Sequence, residues 1–378
     1  MEFIRPDINI AFIPNAKKFL TASAIVVGIC WLLTLVLGLN YGIDFAGGTE
    51  IQVRFNKAVS ANEVRDAMNK LQGMSAEVQS FGLMEDNEYL IKLSSISFVN
   101  EKREKDIEEG LKAAFNDKGL KNFHHSTAGG DKVEFILNSR VDDAQIKGIF
   151  AKADAPTDEI TVTGSEGRYI YRCVLAGLTP HVSEVLSQGI GPDTFEILRL
   201  DSVGPKVGDQ LKQKGILAIL YALIGILIYI AFRFNMQFAP GAVVALIHDI
   251  SITVGIFALF RIEFTIPTIA ALLTIVGYSL NDTIVVYDRI RENLSKTKVK
   301  TLSQVVNESI NQTLSRTILT STTTLFVVAA LILFGGGIIF DFALALLIGV
   351  LVGTYSSVFV AAPVMIYITN YLDKRANA

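Results

Sequence analysis

The chain of 378 residues contains only two cysteines. Cys30 lies in an apolar run and Cys173 in a polar region. A disulfide between them is not expected, and neither has the spacing of a metal ligand. The glycine-rich segments at 44–49 and 202–208 are followed by no Gly-Lys-Ser/Thr, so neither is a phosphate loop; they read as turns that aim the region between them. No nucleophile stands beside a base in a recognisable pattern. No basic face carries the interleaved aromatics that grip nucleic acid. The expectation is a non-enzyme with no cofactor, no metal and no nucleic-acid partner. Charge is also scarce, at 19% of residues against 51% hydrophobic. That is too apolar for an ordinary soluble protein and too charged for a chain lying wholly in a membrane.

The charge is unevenly placed. Of 37 acidic residues, 27 lie between Asp44 and Asp209, so a polar domain is set into a membrane protein. The first apolar run, residues 19–39, has the roughly 20 residues that a spanning helix needs. No small-residue cleavage site follows it, which reads as an uncleaved span. Five more spans are expected near 215–232, 240–260, 266–287, 319–335 and 342–367. Six spans leave both termini, residues 1–18 and 368–378, on one side. Short segments on that side carry Arg5, Lys17, Lys18, Arg233, Arg289, Arg291, Lys296, Lys298, Lys300, Arg316, Lys374 and Arg375, against Arg261 alone on the other. By the positive-inside rule the termini are cytoplasmic and the polar insert is extracytoplasmic.

The insert alternates period-2 and period-3.6 patterns. Strand-like runs at 51–55, 76–81, 89–93 and 122–126, with helical runs at Ala61–Leu71 and Asn100–Asn116, give the order βαββαβ of a ferredoxin-like unit. A shift of 82 residues lays Asn56 on Asn138, Val59 on Val141, Glu77 on Glu159 and Gly82 on Gly164. After a small gap, Tyr89 falls on Tyr169. This predicts a duplication, with one unit at 40–130 and a second at 131–201, followed by a lead-in at 202–214 and spans two to six at 215–367. The second unit's helices are expected at Asp142–Ala153 and Pro180–Gln188. His124 and His125 point to opposite faces of a strand and read as a surface pair.

The chemistry is expected in the fourth span, in Gly-Tyr-Ser-Leu-Asn-Asp-Thr-Ile-Val-Val-Tyr-Asp-Arg-Ile-Arg-Glu-Asn, residues 277–293. Asp282 is an ionisable group inside a membrane span, which marks a functional site by default. Thr274, Tyr278 and Asp282 are spaced by four and share a face. The alternative, purely structural role is an Asp282 that is protonated, or satisfied by Ser279 and Asn281, and that only joins helices. Arg316 opens the fifth span with Gln312, Thr320 and Thr324 on its face. It reads either as the cation that exchanges with Asp282 or as an end anchor reaching headgroups. His248 and Asp249 in the third span are a second relay or a packing pair. Adjacent on a helix, they point about 100° apart and are not expected to face one site. Ala345, Gly349, Gly353 and Ser357 form a small-residue seam in the sixth span.

These stretches resemble the SecF family, membrane subunits that work with SecD beside the bacterial protein-export channel. The resemblance rests on Asp-Phe-Ala-Gly-Gly-Thr after the first span, Val-Gly-Pro before the second, His248-Asp249, residues 277–293, and Ser-Arg-Thr-Ile-Leu-Thr-Ser-Thr-Thr-Thr from Ser315. It implies an inner-membrane half-bundle that pairs with SecD into twelve spans, similar to the proton-driven RND exporter superfamily. It further implies SecYEG and the unfolded exported polypeptide as partners, use of the proton-motive force, and a link between Asp282, Arg316 and proton conduction. One departure from the family pattern is the doubled insert. A stand-alone exporter of the same superfamily and a passive scaffold remain open readings.

Overall fold

Where apolar side chains exclude water, backbone N–H and C=O groups must satisfy one another, and a helix does this within one segment. In the computed structural model, residues 9–71, 75–81, 87–94, 97, 99, 101–126, 131–165, 167–234, 236–297 and 299–376 are described. Arg5, Gly82, Asn100 and Lys298, used above, lie outside them. Six helices among the described residues are long and apolar enough to cross a membrane. The first, α1 (Phe12–Leu37), starts seven residues before the expected span and is followed by β1 (Asn40–Tyr41).

Residues Ile43–Asp209 form one unit. In chain order it holds α2 (Ile43–Ala46), β2 (Gly48–Phe55), α3 (Ala61–Met68), β3 (Ala76–Phe81), β4 (Glu88–Leu93), α4 (Glu101–Phe115), β5 (Lys121–Ser126), β6 (Lys132–Leu137), α5 (Asp143–Lys152), β7 (Thr157–Ser165), β8 (Arg168–Leu175), α6 (Leu178–Gly189) and β9 (Phe195–Val203). The expected division at 130/131 does not hold. The last strand, β9, pairs with β2 and completes the sheet β3-β4-β2-β9, whereas β5 pairs with β6 in the sheet β5-β6-β8-β7. The helices follow their strands. Met68 of α3 and Val182 and Leu186 of α6 share a core with the first sheet. Ile107 and Leu111 of α4 share one with Ile146 and Phe150 of α5 and the second sheet. Connection length is the cause: β5 and β6 are five residues apart, so β5 joins the strand that follows it.

From β2–β4 onto β6–β8 the shift of 82 needs no gap, although it lays neither α4 on α6 nor β5 on β9. Val53 lies opposite Tyr89, and Phe135 lies opposite Tyr171. Ser60 caps α3 and Asp142 caps α5 with their side chains. The Tyr89 hydroxyl bonds Val59, as the Tyr171 hydroxyl bonds Val141. Tyr89 therefore corresponds to Tyr171, not Tyr169. The glycine-rich segments pack on one another: a Cβ at Gly208 would lie 2.9 Å from the Phe45 carbonyl, and one at Gly47 3.0 Å from Pro205. The histidine pair splits. His124 is exposed, while His125 is inserted between Glu104 and Asp131 at 3.6 and 3.5 Å.

The other unit comprises Met1–Gly42 and Gln210–Ala378. It contains most of α7 (Pro205–Arg233), then α8 (Ala239–Phe260), β10 (Glu263–Phe264), α9 (Ile266–Lys296), α10 (Leu302–Phe334), α11 (Gly336–Ser356), a π-helical segment Ser357–Ala361, and α12 (Ala362–Ala376). The helices outrun the apolar runs: α9 continues to Lys296, and α10 begins 17 residues before the expected fifth span. Hydropathy marks the apolar slab, whereas backbone hydrogen bonding carries the helix past it. Arg261, the basic residue that departs from the charge asymmetry, donates from Nη1 to the Leu37 carbonyl at 2.8 Å and so satisfies the C-terminus of α1. The small-residue seam packs on α9, since a Cβ added at Gly349 would lie 2.2 Å from the Ile275 side chain. The π segment is not legible in hydropathy. It precedes Pro363, which has no N–H for the α-helical bond to the Phe359 carbonyl.

Candidate functional site

The most fully built polar cluster lies between α8, α9 and α11. Asp249 of α8 is 0% exposed. Its Oδ2 accepts from the Ser279 hydroxyl at 2.6 Å and from the Ser356 hydroxyl at 2.8 Å, and its Oδ1 lies 2.9 Å from His248 Nδ1. His248 and Asp249 therefore do meet, contrary to the expectation from a 100° rotation. The imidazole Nδ1 lies near its own backbone, and a rotamer choice closes the angle. The His248 ring lies 6.0 Å from that of Tyr355, whose hydroxyl bonds Ser23 of α1 at 2.9 Å.

One turn along α9 from Ser279, Asp282 is 2% exposed and faces α10, where Arg316 acts on it through space and Ser321 lies beside it. No direct ion pair joins Asp282 to Arg316, whose side chain is exposed. Tyr278 is half-buried, and Asn281 and Thr274 are exposed. Among the described residues of the helical unit, three buried side-chain atoms have no hydrogen-bond partner: His248 Nε2, Tyr278 Oη and Asp282 Oδ2. Unpartnered buried polar atoms are rare in native proteins. All three belong to residues singled out from the sequence.

The polar face of α10 differs from the expected one. Thr320 and Thr324 donate to carbonyls of their own helix, Arg316 and Thr320 respectively, and Gln312 is exposed. The buried stripe is Ser309, Thr313, Thr317 and Ser321, also spaced by four, and Ser321 bonds Thr354 of α11 at 2.6 Å. Two stripes of equal period lie side by side on α10, and period alone does not say which one is turned inward. Ser356 and Tyr287 were also missed. Tyr287 is buried and donates to the Ala361 carbonyl at 3.1 Å, at the far end of the π segment. The signal for it was its place within 277–293, at a spacing of eight from Ser279.

Two family descriptions match: the C-terminal part of the SecD/SecF protein export membrane proteins, over residues 182–371, and the SecD/SecF GG motif, over residues 33–59. The protein translocase subunit SecF of Calditerrivibrio nitroreducens is 36% identical over 377 residues, covering 99% of both chains. The chain belongs to the SecF family. The SecF of Magnetococcus marinus is 41% identical over 355 residues, covering 94% of this chain and 90% of its own. Among solved structures, that of SecDF, a translocon-associated membrane protein from Thermus, covers 97% of this chain at 29% identity with a TM-score of 0.64. A second SecDF structure, in a super-membrane-facing form, gives 0.58. This SecF-family chain spans only 40% of the length of each SecDF chain. End-to-end alignment with the Calditerrivibrio SecF shows that an insert of this length is not peculiar to this chain. Six apolar helices and this kinship make it a multi-pass inner-membrane protein.

Proposed function

We infer that this chain is an accessory subunit of the Sec protein translocase that uses the proton-motive force to promote export. The observation that carries the reading is Asp282: a carboxyl 2% exposed within a membrane-length helix, with no hydrogen bond to Oδ2, and with Arg316 across from it on α10. Protonation removes the charge from a site where water is scarce, and deprotonation restores the attraction to Arg316. Each change alters how α9 and α10 pack. Tyr278 and Asn281 on α9, and the lone pairs of Thr320 and Thr324 on α10, supply polar groups along the proton's route, with His248 and Asp249 as a second ionisable pair. The termini are cytoplasmic and the α/β unit, read as two ferredoxin-like units, is extracytoplasmic. There it works on the unfolded exported polypeptide emerging from SecYEG. Both solved neighbours are SecDF chains, which supports SecD as the partner of this half-bundle.

The test is export by Asp282→Asn in inner-membrane vesicles with and without a proton gradient. Asn keeps the shape and removes the titratable proton. The expected result is loss of the gradient's contribution while assembly with SecD persists. Export that still responds fully to the gradient would remove the coupling role from Asp282.

A further inference from the structure

The two serine donors of Asp249 come from different helices, and each borders something else. Ser279 stands three residues before Asp282 on α9, and Ser356 is the last α-helical residue before the π segment Ser357–Ala361. The same helix α9 also reaches the far end of that segment, where the Tyr287 hydroxyl bonds the Ala361 carbonyl. Gly241 keeps the space open, since a Cβ there would lie 2.5 Å from the Tyr287 hydroxyl. Residues 279–287 thus hold both ends of the π segment, one end through Asp249, with Asp282 between the two grips. A π turn contains one residue more than an α turn. Absorbing or shifting that residue re-phases everything beyond it by about 100°. A small movement of α9 at Asp282 therefore has a route to a large rotation of α12.

We propose that Asp249 is a positioning residue for the Asp282 site: through Ser279 and Ser356 it ties the α9 turn that carries Asp282 to the π segment between α11 and α12. The proposal rests on the reading of Asp282 as the coupling group. The ionisable groups around the cluster are His248 on α8, Tyr278 and Asp282 on α9, Arg316 on α10 and Tyr355 on α11; α1 adds the neutral Ser23. Ser279 is 1% and Ser356 0% exposed, so their hydroxyls have no water to fall back on. Each bond to the carboxyl oxygen is directional.

Hydrogen–deuterium exchange of the backbone over residues 355–366 tests this, in the complex with SecD in lipid nanodiscs and with no gradient applied. Asp282→Asn is expected to change exchange there by about tenfold, the scale of one buried hydrogen bond. In a Ser279→Ala/Ser356→Ala background the same substitution should change it by less than about twofold, because the tie is gone. An equal effect with and without the serines, or no effect of Asp282→Asn with the serines present, overturns the positioning role. If the double background does not assemble, each single serine variant removes one donor and is read in the same way. Loss of the coupling role shows in the export test, whereas loss of the positioning role shows in exchange, so the two failures are distinguishable.

Discussion

The two units hold their buried charged groups in different ways, although each has buried polar atoms without a hydrogen-bond partner among the described residues, His125 Nε2 and Thr157 Oγ1 being examples in the α/β unit. In the α/β unit, charge meets charge: Glu88 with Arg54, Asp154 with Arg103, and His125 with Glu104 and Asp131. Its deep tyrosine hydroxyls are spent on backbone groups. In the helical unit, Asp249 is held by two serines and a histidine, and Asp282 Oδ2, Tyr278 Oη and His248 Nε2 have no hydrogen-bond partner among the described residues. The first pattern keeps a fold together. The second leaves ionisable groups in a place where they are costly.

That contrast breaks if a packing defect in the α/β unit silences the gradient response. Phe150→Ala empties a fully buried site in the second sheet's core, and should cost about 3–5 kcal/mol in a denaturant melt. The gradient-dependent share of export, measured per assembled complex, should survive. Its loss would mean that the two units do not divide the work. A smaller effect sharpens the internal comparison between the two repeats. Tyr171→Phe and Tyr89→Phe should each cost about 1 kcal/mol, and unequal losses would show that only one repeat depends on its tyrosine–backbone bond. The smallest effect concerns pH. The Asp131 carboxylate raises the His125 imidazole above its ordinary value, with Glu104 adding to it and burial opposing. The clamp is therefore fully present below the ordinary histidine pKa of about 6.5 and is lost as pH rises through the raised folded value. The melting difference between the unaltered chain and His125→Gln should shrink from pH 6 to pH 9; a constant difference would assign His125 a packing role alone.

The long apolar runs, the insert and the order of its elements were legible, because each rests on local pattern. So was Asp282, since a carboxylate in an apolar run needs no tertiary information to stand out. What was not legible depended on partners. The strand β5 fits either sheet by composition, and only the short link to β6 selects one. On α10 the stripes through Arg316 and through Ser321 have one period, and the neighbouring helices choose between them. Ser356 looks like any serine in a small-residue helix until Asp249 of α8 meets it. Helical rotation alone sets His248 and Asp249 apart, but it ignores how far a ring nitrogen can swing.

The exchange of closing strands imposes an order of events on the growing chain. The second sheet has all four of its strands by Leu175, whereas the first must wait for β9, which ends at Val203, two residues before α7 begins. The inner module, made later than β2, is therefore complete first. The older strand β2 stays without its β9 neighbour until the chain that will become the second membrane helix is next to be made.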